Sequence, residues 1–164
     1  MEIAEQAKND TGAPGDTRPV TMTYVREIAI NYRGPRRPRA QITRAGDAAA
    51  YIRKVLPDNS REHFVSLYLD NGHRIAGFSI TATGTANSCP VHPREVYQAA
   101  IALGAISVIV GHNHPSGCDS PSEEDQRVTN ALKEAGAVLG INLLDHVIIG
   151  GTSFYSFAEH GVLG

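Results

Sequence analysis

The sequence predicts a single α/β domain with a mixed central β-sheet flanked by helices. The first observation behind this class is that segments with apolar residues at helical spacing are interleaved with shorter segments of strand character. The second is size and composition, because 164 residues with 41% hydrophobic and 20% charged side chains suffice for one domain with a core. We expect this domain at 23–164, after a flexible, polar tail at 1–22.

A basic segment follows the first predicted strand, which spans 24–32. Residues 33–39 carry four arginines and two prolines, and the prolines exclude regular structure there. We interpret this segment as a solvated surface loop. Contact with a phosphate or an acidic partner is the alternative.

The next part of the chain predicts a helix followed by a hairpin. Apolar residues recur at helical spacing over 47–56. Over 63–70, apolar side chains occupy both faces of a strand in alternation. Asn71-Gly72 is a strong hairpin signal, and 74–83 provides the partner strand.

The last part of the chain predicts two helices and three strands. Pro93 suits the first position of a helix, and the β-branched run at 106–110 indicates a buried strand. A second long helix is expected from Ser122 to a stop at Gly140, and strands at 143–149 and 153–157 follow it. The predicted apolar stripe of the long helix consists of Val128, Leu132, Ala135 and Leu139.

Two histidines and a carboxylate lie close together in the sequence between the buried strand and this helix. His112 and His114 are at i and i+2, so in an extended chain both imidazoles point to one face. A short glycine-containing turn follows, and Asp125 occupies the first turn of the helix. Two imidazoles and one carboxylate, with a fourth position open, are typical of a catalytic zinc site. The sequence therefore predicts a zinc ion held by His112, His114 and Asp125.

Each part of this motif also has a simpler interpretation. Ser122 and Asp125 match a capping box, and an isolated His-x-His pair occurs by chance. Cys118 could be an extra soft ligand or a nucleophile. Because the sequence offers it no activating partner other than the histidines, we interpret it as a loop residue. Because all the parts converge on one point, we favour metal binding.

The spacing His-x-His, seven residues, Ser-x-x-Asp resembles that of the JAMM metalloproteases, whose domain is called MPN or JAB. The resemblance covers about residues 40–164, and the flanking segments narrow it to the RadC branch. The chain differs from the longer RadC pattern in carrying no helix-hairpin-helix domain, and in this it resembles the short RadC-like proteins of mobile elements. It also differs by having Cys118-Asp119-Ser120 in the loop between the ligands. The segments that resemble the RadC branch are Tyr68-Leu69-Asp70, Val91–Val96, His112–Gly117, Leu144–Gly150 and Ser153–Phe157.

The resemblance implies a cytidine-deaminase-like fold and a role for each site residue. It implies that His112, His114 and Asp125 hold zinc and that Ser122 steadies the tetrahedral intermediate. A glutamate at the start of a core strand would activate the water, and Glu62 fits that place. Glu95 is the alternative, and we favour Glu62.

Asp145 and His146 are a candidate second pair near the metal. A carboxylate beside a ligand imidazole would fix the tautomer of that imidazole. Polar residues at a strand edge are the alternative interpretation.

The function implied by the resemblance is a zinc-dependent hydrolase that cleaves a peptide or isopeptide bond in a protein or peptide substrate, with a ubiquitin-like conjugate as one candidate. The first alternative is a DNA-repair or other nucleic-acid-associated protein, which a net charge of −2 supports little. The second is a non-catalytic scaffold, although such relatives usually lose ligands. Two cysteines, no signal peptide and no membrane-spanning run lead us to expect a cytoplasmic protein. The oligomeric state is left open.

Overall fold

The computed structural model describes residues 39–84 and 91–163, which hold three helices and five strands. The predicted tail at 1–22, the strand at 24–32 and the basic loop up to residue 38 lie outside the described residues. No helix within the described ranges combines the length and apolar character needed to cross a membrane. The elements in chain order are α1 (Ala45–Val55), β1 (His63–Leu69), β2 (Ile75–Thr83), α2 (Pro93–Leu103), β3 (Ser107–His114), α3 (Glu123–Leu139), β4 (Asn142–Gly150) and β5 (Ser153–Ser156).

The strands form one mixed sheet in the order β2-β1-β3-β4-β5. β1 pairs antiparallel with β2 and with β3, so the predicted hairpin is confirmed. β3 and β4 run parallel, with α3 as the connection between them, and β5 returns antiparallel to β4. Phe64 pairs with His112, and the start of β1 therefore lies beside the end of β3.

The strand β1 is buried on both faces, as its alternation predicts. Phe64 and Tyr68 belong to a core formed with α2 and α3. Val65, Leu67 and Leu69 belong to a second core formed with α1. The sheet therefore separates α1 from α2 and α3, which gives a three-layer α/β domain.

The strand β3 differs from the strand predicted at 106–110. It begins at Ser107 and continues to His114, and Ile106 is 52% exposed just before it. Pairing with β1 continues to His112 and pairing with β4 continues to His114, because ladder hydrogen bonds are made by the backbone. Both histidines therefore lie within a rigid strand and not in the loop after it.

The helix α3 confirms the predicted start and stop and most of the predicted apolar stripe. Ser122 is the N-cap, both bonds of a capping box with Asp125 are present, and Gly140 ends the helix with φ 68°. Leu132 is buried and Val128 and Ala135 pack against the same core, whereas Leu139 at the end of the helix is 45% exposed. Polar groups on a buried face need partners, and these partners come from β3 and β4. The buried face consists of Asp125, Thr129, Leu132 and Gly136.

Candidate metal centre

Three side chains meet where the end of β3 faces the start of α3. His112 and His114 project from alternate positions of β3, and Asp125 projects from the first turn of α3. The Nε2 atoms of the two histidines are 3.0 Å apart. Asp125 places Oδ1 3.1 Å from His112 Nε2 and Oδ2 3.7 Å from His114 Nε2. The structure thus brings together all three predicted ligands.

The separations between these atoms suit a tetrahedral zinc ion. Bonds of about 2.0–2.1 Å at tetrahedral angles put neighbouring ligand atoms roughly 3.3 Å apart. The Nε2–Nε2 separation of 3.0 Å and the separation of 3.1 Å between His112 Nε2 and Asp125 Oδ1 are close to that value, and one ligand atom from each residue lies within 4.8 Å of the other two. Among the described residues this group has three members, which leaves a fourth position for water or substrate. The donor set and its spacing therefore fit zinc.

The electrostatics of the group favour a cation. His114 Nδ1 donates to the carbonyl oxygen of Cys118 at 2.8 Å, so Nε2 of the neutral ring carries a lone pair. The hydrogen bond to Asp125 raises the pKa of His114, against the effect of burial. Burial opposes the ionisation of Asp125, but hydrogen bonds from the protonated rings of His112 and His114 outweigh it and hold the pKa of Asp125 well below its ordinary value. An ionised carboxylate beside two imidazoles attracts a proton or a metal ion.

Ser122 fixes the Asp125 carboxylate at the edge of this group. Its hydroxyl accepts from the backbone N–H of Asp125 at 3.1 Å and donates to Oδ2 at 2.7 Å. The backbone N–H of Ser122 donates to the same oxygen at 2.7 Å. The capping box and the metal-like cluster are therefore one arrangement, because the bonds that begin α3 also orient a predicted ligand.

Glu62 comes to the group through the pairing of β1 with β3. It directly precedes β1, and two residues later Phe64 pairs with His112. Its Oε1 lies 4.0 Å from His112 Nε2, and its side chain is 24% exposed. Glu95 lies exposed in the first turn of α2, and within the described ranges it forms no ion pair with a site histidine. The structure thus places Glu62 beside the predicted ligands, within reach of a water molecule there.

Asn113 is a site residue that the sequence reasoning missed. It lies between the two histidines, is 1% exposed and points to the opposite face of β3. Its Oδ1 accepts from the backbone N–H of His63 at 2.8 Å, and its Nδ2 donates to the carbonyl of Arg61 at 2.8 Å and to Asn59 Oδ1 at 2.7 Å. Asn113 therefore holds the backbone on both sides of Glu62. The available signal was a polar residue between the two predicted ligands, which in an extended segment lies on the face opposite to them.

The candidate pair Asp145 and His146 divides between the two faces of β4. His146 Nε2 lies 2.9 Å from His112 Nδ1 and is fully buried. Asp145 instead accepts from the Ser156 hydroxyl and from two backbone N–H groups. The partner of the His112 imidazole is therefore the imidazole of His146, and the candidate carboxylate of Asp145 binds Ser156 and the backbone instead. Cys118 is exposed, and its carbonyl rather than its thiol contacts His114.

The mixed sheet, its covering helices and the His-His-Asp group define a JAB/MPN domain with a site able to hold a metal ion. The RadC-like JAB domain family model matches residues 42–162. The chain belongs to that family, as its resemblance to the RadC branch predicted.

Several curated relatives are similar over most of the chain. A UPF0758 protein of Chlorobium chlorochromatii is 38% identical over 149 residues, covering 91% of this chain and 67% of the relative. A UPF0758 protein of Halorhodospira halophila is 39% identical over 150 residues, with 91% and 67% covered. A UPF0758 protein of Staphylococcus epidermidis is 46% identical over 123 residues, covering 75% of this chain and 54% of the relative.

Proposed function

We propose that this chain is a zinc-dependent hydrolase of the JAMM type that cleaves a peptide or isopeptide bond with an activated water molecule. The observation that carries the proposal is a carboxylate, Glu62, 4.0 Å from a nitrogen of the three-member His-His-Asp group. A general base belongs within reach of a water held by such a group. The substrate class is a protein or peptide, and a ubiquitin-like conjugate is one member of that class.

Each side chain of the site has a separate role in the proposed hydrolysis. A bound zinc ion would polarise the substrate carbonyl and lower the pKa of a water molecule. Glu62 would accept a proton from the attacking water at a carboxylate oxygen and deliver it to the leaving amine. Ser122 would donate its hydroxyl hydrogen to the developing oxyanion. Because that hydrogen is bonded to Asp125 Oδ2, the donation exchanges one hydrogen bond for another.

The first test separates metal binding from catalysis. His112→Ala and Asp125→Ala should lose zinc, measured by metal analysis of purified protein and by competition with a chelating dye. Glu62→Gln should keep zinc and lose about 100-fold or more in rate on a panel of internally quenched peptides and isopeptide-linked lysine conjugates.

Two matched variants serve as controls. Glu124→Gln removes an exposed carboxylate from the same helix start, where it pairs with Arg127, and should keep the full rate. Glu95→Gln tests the alternative base. Unchanged zinc in His112→Ala would disprove the site, and a wild-type rate in Glu62→Gln would disprove the base.

A further inference from the structure

Four residues form a buried chain of hydrogen bonds that joins one predicted ligand to the backbone of another. His112 Nδ1 lies 2.9 Å from His146 Nε2, and His146 Nδ1 lies 2.6 Å from the hydroxyl of Thr129. That hydroxyl donates to the carbonyl oxygen of Asp125 at 2.6 Å. His146 and Thr129 are fully buried, and His112 is 1% exposed.

The carbonyl at the end of the chain fixes the direction of every bond in it. A carbonyl only accepts, so the single hydroxyl hydrogen of Thr129 is committed to Asp125. The hydroxyl must then accept from His146 Nδ1, which therefore carries the hydrogen of that ring. The neutral ring has no hydrogen on Nε2, and this atom accepts from His112 Nδ1. His112 is left with a bare Nε2.

We propose that His146 and Thr129 are positioning residues that hold His112 in the tautomer with hydrogen on Nδ1, ready for a metal ion before one arrives. The bare Nε2 is the atom that faces Asp125 and His114. The opposite tautomer of His112 would reverse the direction of these hydrogen bonds. The Thr129 hydroxyl would then donate to His146, and its oxygen would face the carbonyl oxygen of Asp125 with no hydrogen between them. The inference rests on the proposed metal site, and it assigns that site a device independent of catalysis.

The rings of the chain are also held in place by packing. Phe64 stacks on His112 with an interplanar angle of 9°, and Phe157 stacks on His146 with an angle of 10°. A ring flip in either histidine would exchange a nitrogen for a carbon in the chain and break it. The stacking therefore supports the single arrangement that the hydrogen bonds require.

The direct test uses the wild-type protein without metal. ¹⁵N-detected histidine spectra distinguish a protonated ring nitrogen from a bare one. We expect His112 to carry hydrogen on Nδ1 and His146 to carry it on Nδ1, at a pH where both rings are neutral. Hydrogen on Nε2 of His112 would overturn the inference. The measurement needs neither zinc nor a substrate, so it can succeed or fail independently of the proposed hydrolysis.

The second test changes Thr129, the last side chain in this series of hydrogen bonds. Thr129→Val keeps the shape of the side chain but removes the hydroxyl, whereas Thr129→Ser keeps the hydroxyl. Thr129→Val should weaken zinc binding by about 10–100-fold and give mixed tautomers of His112, whereas Thr129→Ser should stay within a few fold of wild type. Equal zinc affinity and an unchanged His112 tautomer in folded Thr129→Val would overturn the inference. If Thr129→Val does not fold, the wild-type spectra still test the tautomer of His112 directly.

Discussion

The substitution Asn113→Asp is expected to loosen the segment that carries Glu62 while leaving the predicted metal ligands in place. The change is isosteric and retains Oδ1, which accepts from the backbone N–H of His63. It removes the amide hydrogens that hold the carbonyl of Arg61 and the side chain of Asn59. The introduced Oδ2 would then face two oxygen atoms that the amide nitrogen had bound.

The magnitude follows from these lost bonds. Two hydrogen bonds at about 1 kcal/mol each, with a further penalty for acceptors facing an ionised carboxyl, lower the free energy of unfolding by about 2–3 kcal/mol. The segment 59–61 is exposed, so water compensates part of the loss and the estimate stays below the cost for a fully buried network. Protonation of the introduced carboxyl restores one donor. The pKa of this carboxyl should be higher in the folded than in the unfolded state, so the destabilisation is full above the folded pKa and shrinks at acidic pH.

Urea unfolding of the wild type, Asn113→Asp and the control Asn130→Asp measures this effect. Asn130 lies exposed on α3, so its replacement changes the net charge equally without touching the site. Zinc affinity should change little in Asn113→Asp, whereas the rate of the proposed hydrolysis should fall because Glu62 is no longer held. A loss of unfolding free energy below about 0.5 kcal/mol, equal to that of the control, would refute the reasoning.

Two further predictions concern the same strand. Zinc must displace a proton from His114, whose pKa is raised by the hydrogen bond to Asp125. The zinc affinity should therefore be full above that raised pKa and fall below it. Titration calorimetry from pH 8 to 6 checks this, and a zinc affinity that does not change between pH 8 and 6.5 would contradict it. Gly111→Ala should cost about 1–3 kcal/mol in urea unfolding, because an added Cβ lies 2.6 Å from the carbonyl oxygen of Val147 in β4. Gly77→Ala, whose Cβ meets only a flexible side chain, should cost less, and equal losses would contradict the prediction.

Local patterns predicted most elements of the fold. The alternating side chains of β1 predicted that both of its faces are buried, and Ser122 and Gly140 predicted the two ends of α3. The order of the strands is set by long-range pairing, which apolar spacing does not encode. The end of β3 was missed because Gly111 to His114 lack the β-branched side chains that mark a strand, and backbone pairing with β4 extends the strand through them. The buried face of α3 also includes the polar residues Asp125 and Thr129, which apolar spacing does not mark.

The predicted ligands were found from their spacing in the sequence, whereas the residues that hold the site in place were not. Ser-x-x-Asp and His-x-His are local signals, and family resemblance supplied Glu62. Asn113 and Thr129 act through partners about 50 and 17 residues away in sequence, and no local pattern points to these contacts. Asp145 was a candidate partner of a ligand imidazole, with a polar strand edge as the alternative, and alternation along β4 puts it on the face opposite His146.

The register of β3 therefore sets the geometry of the whole centre. Its alternate residues face two layers, with His112 and His114 toward α3 and Asn113 toward the segment that carries Glu62. A slip of one residue would exchange these faces and separate the ligands from the carboxylate of α3. Gly111 opposes such a slip, because its lack of a side chain permits the close approach of Ile52 and β4 on the α1 face. The spacing between the ligands and the proposed base is thus determined by backbone pairing within the sheet, so variants that shift β3 should affect both together.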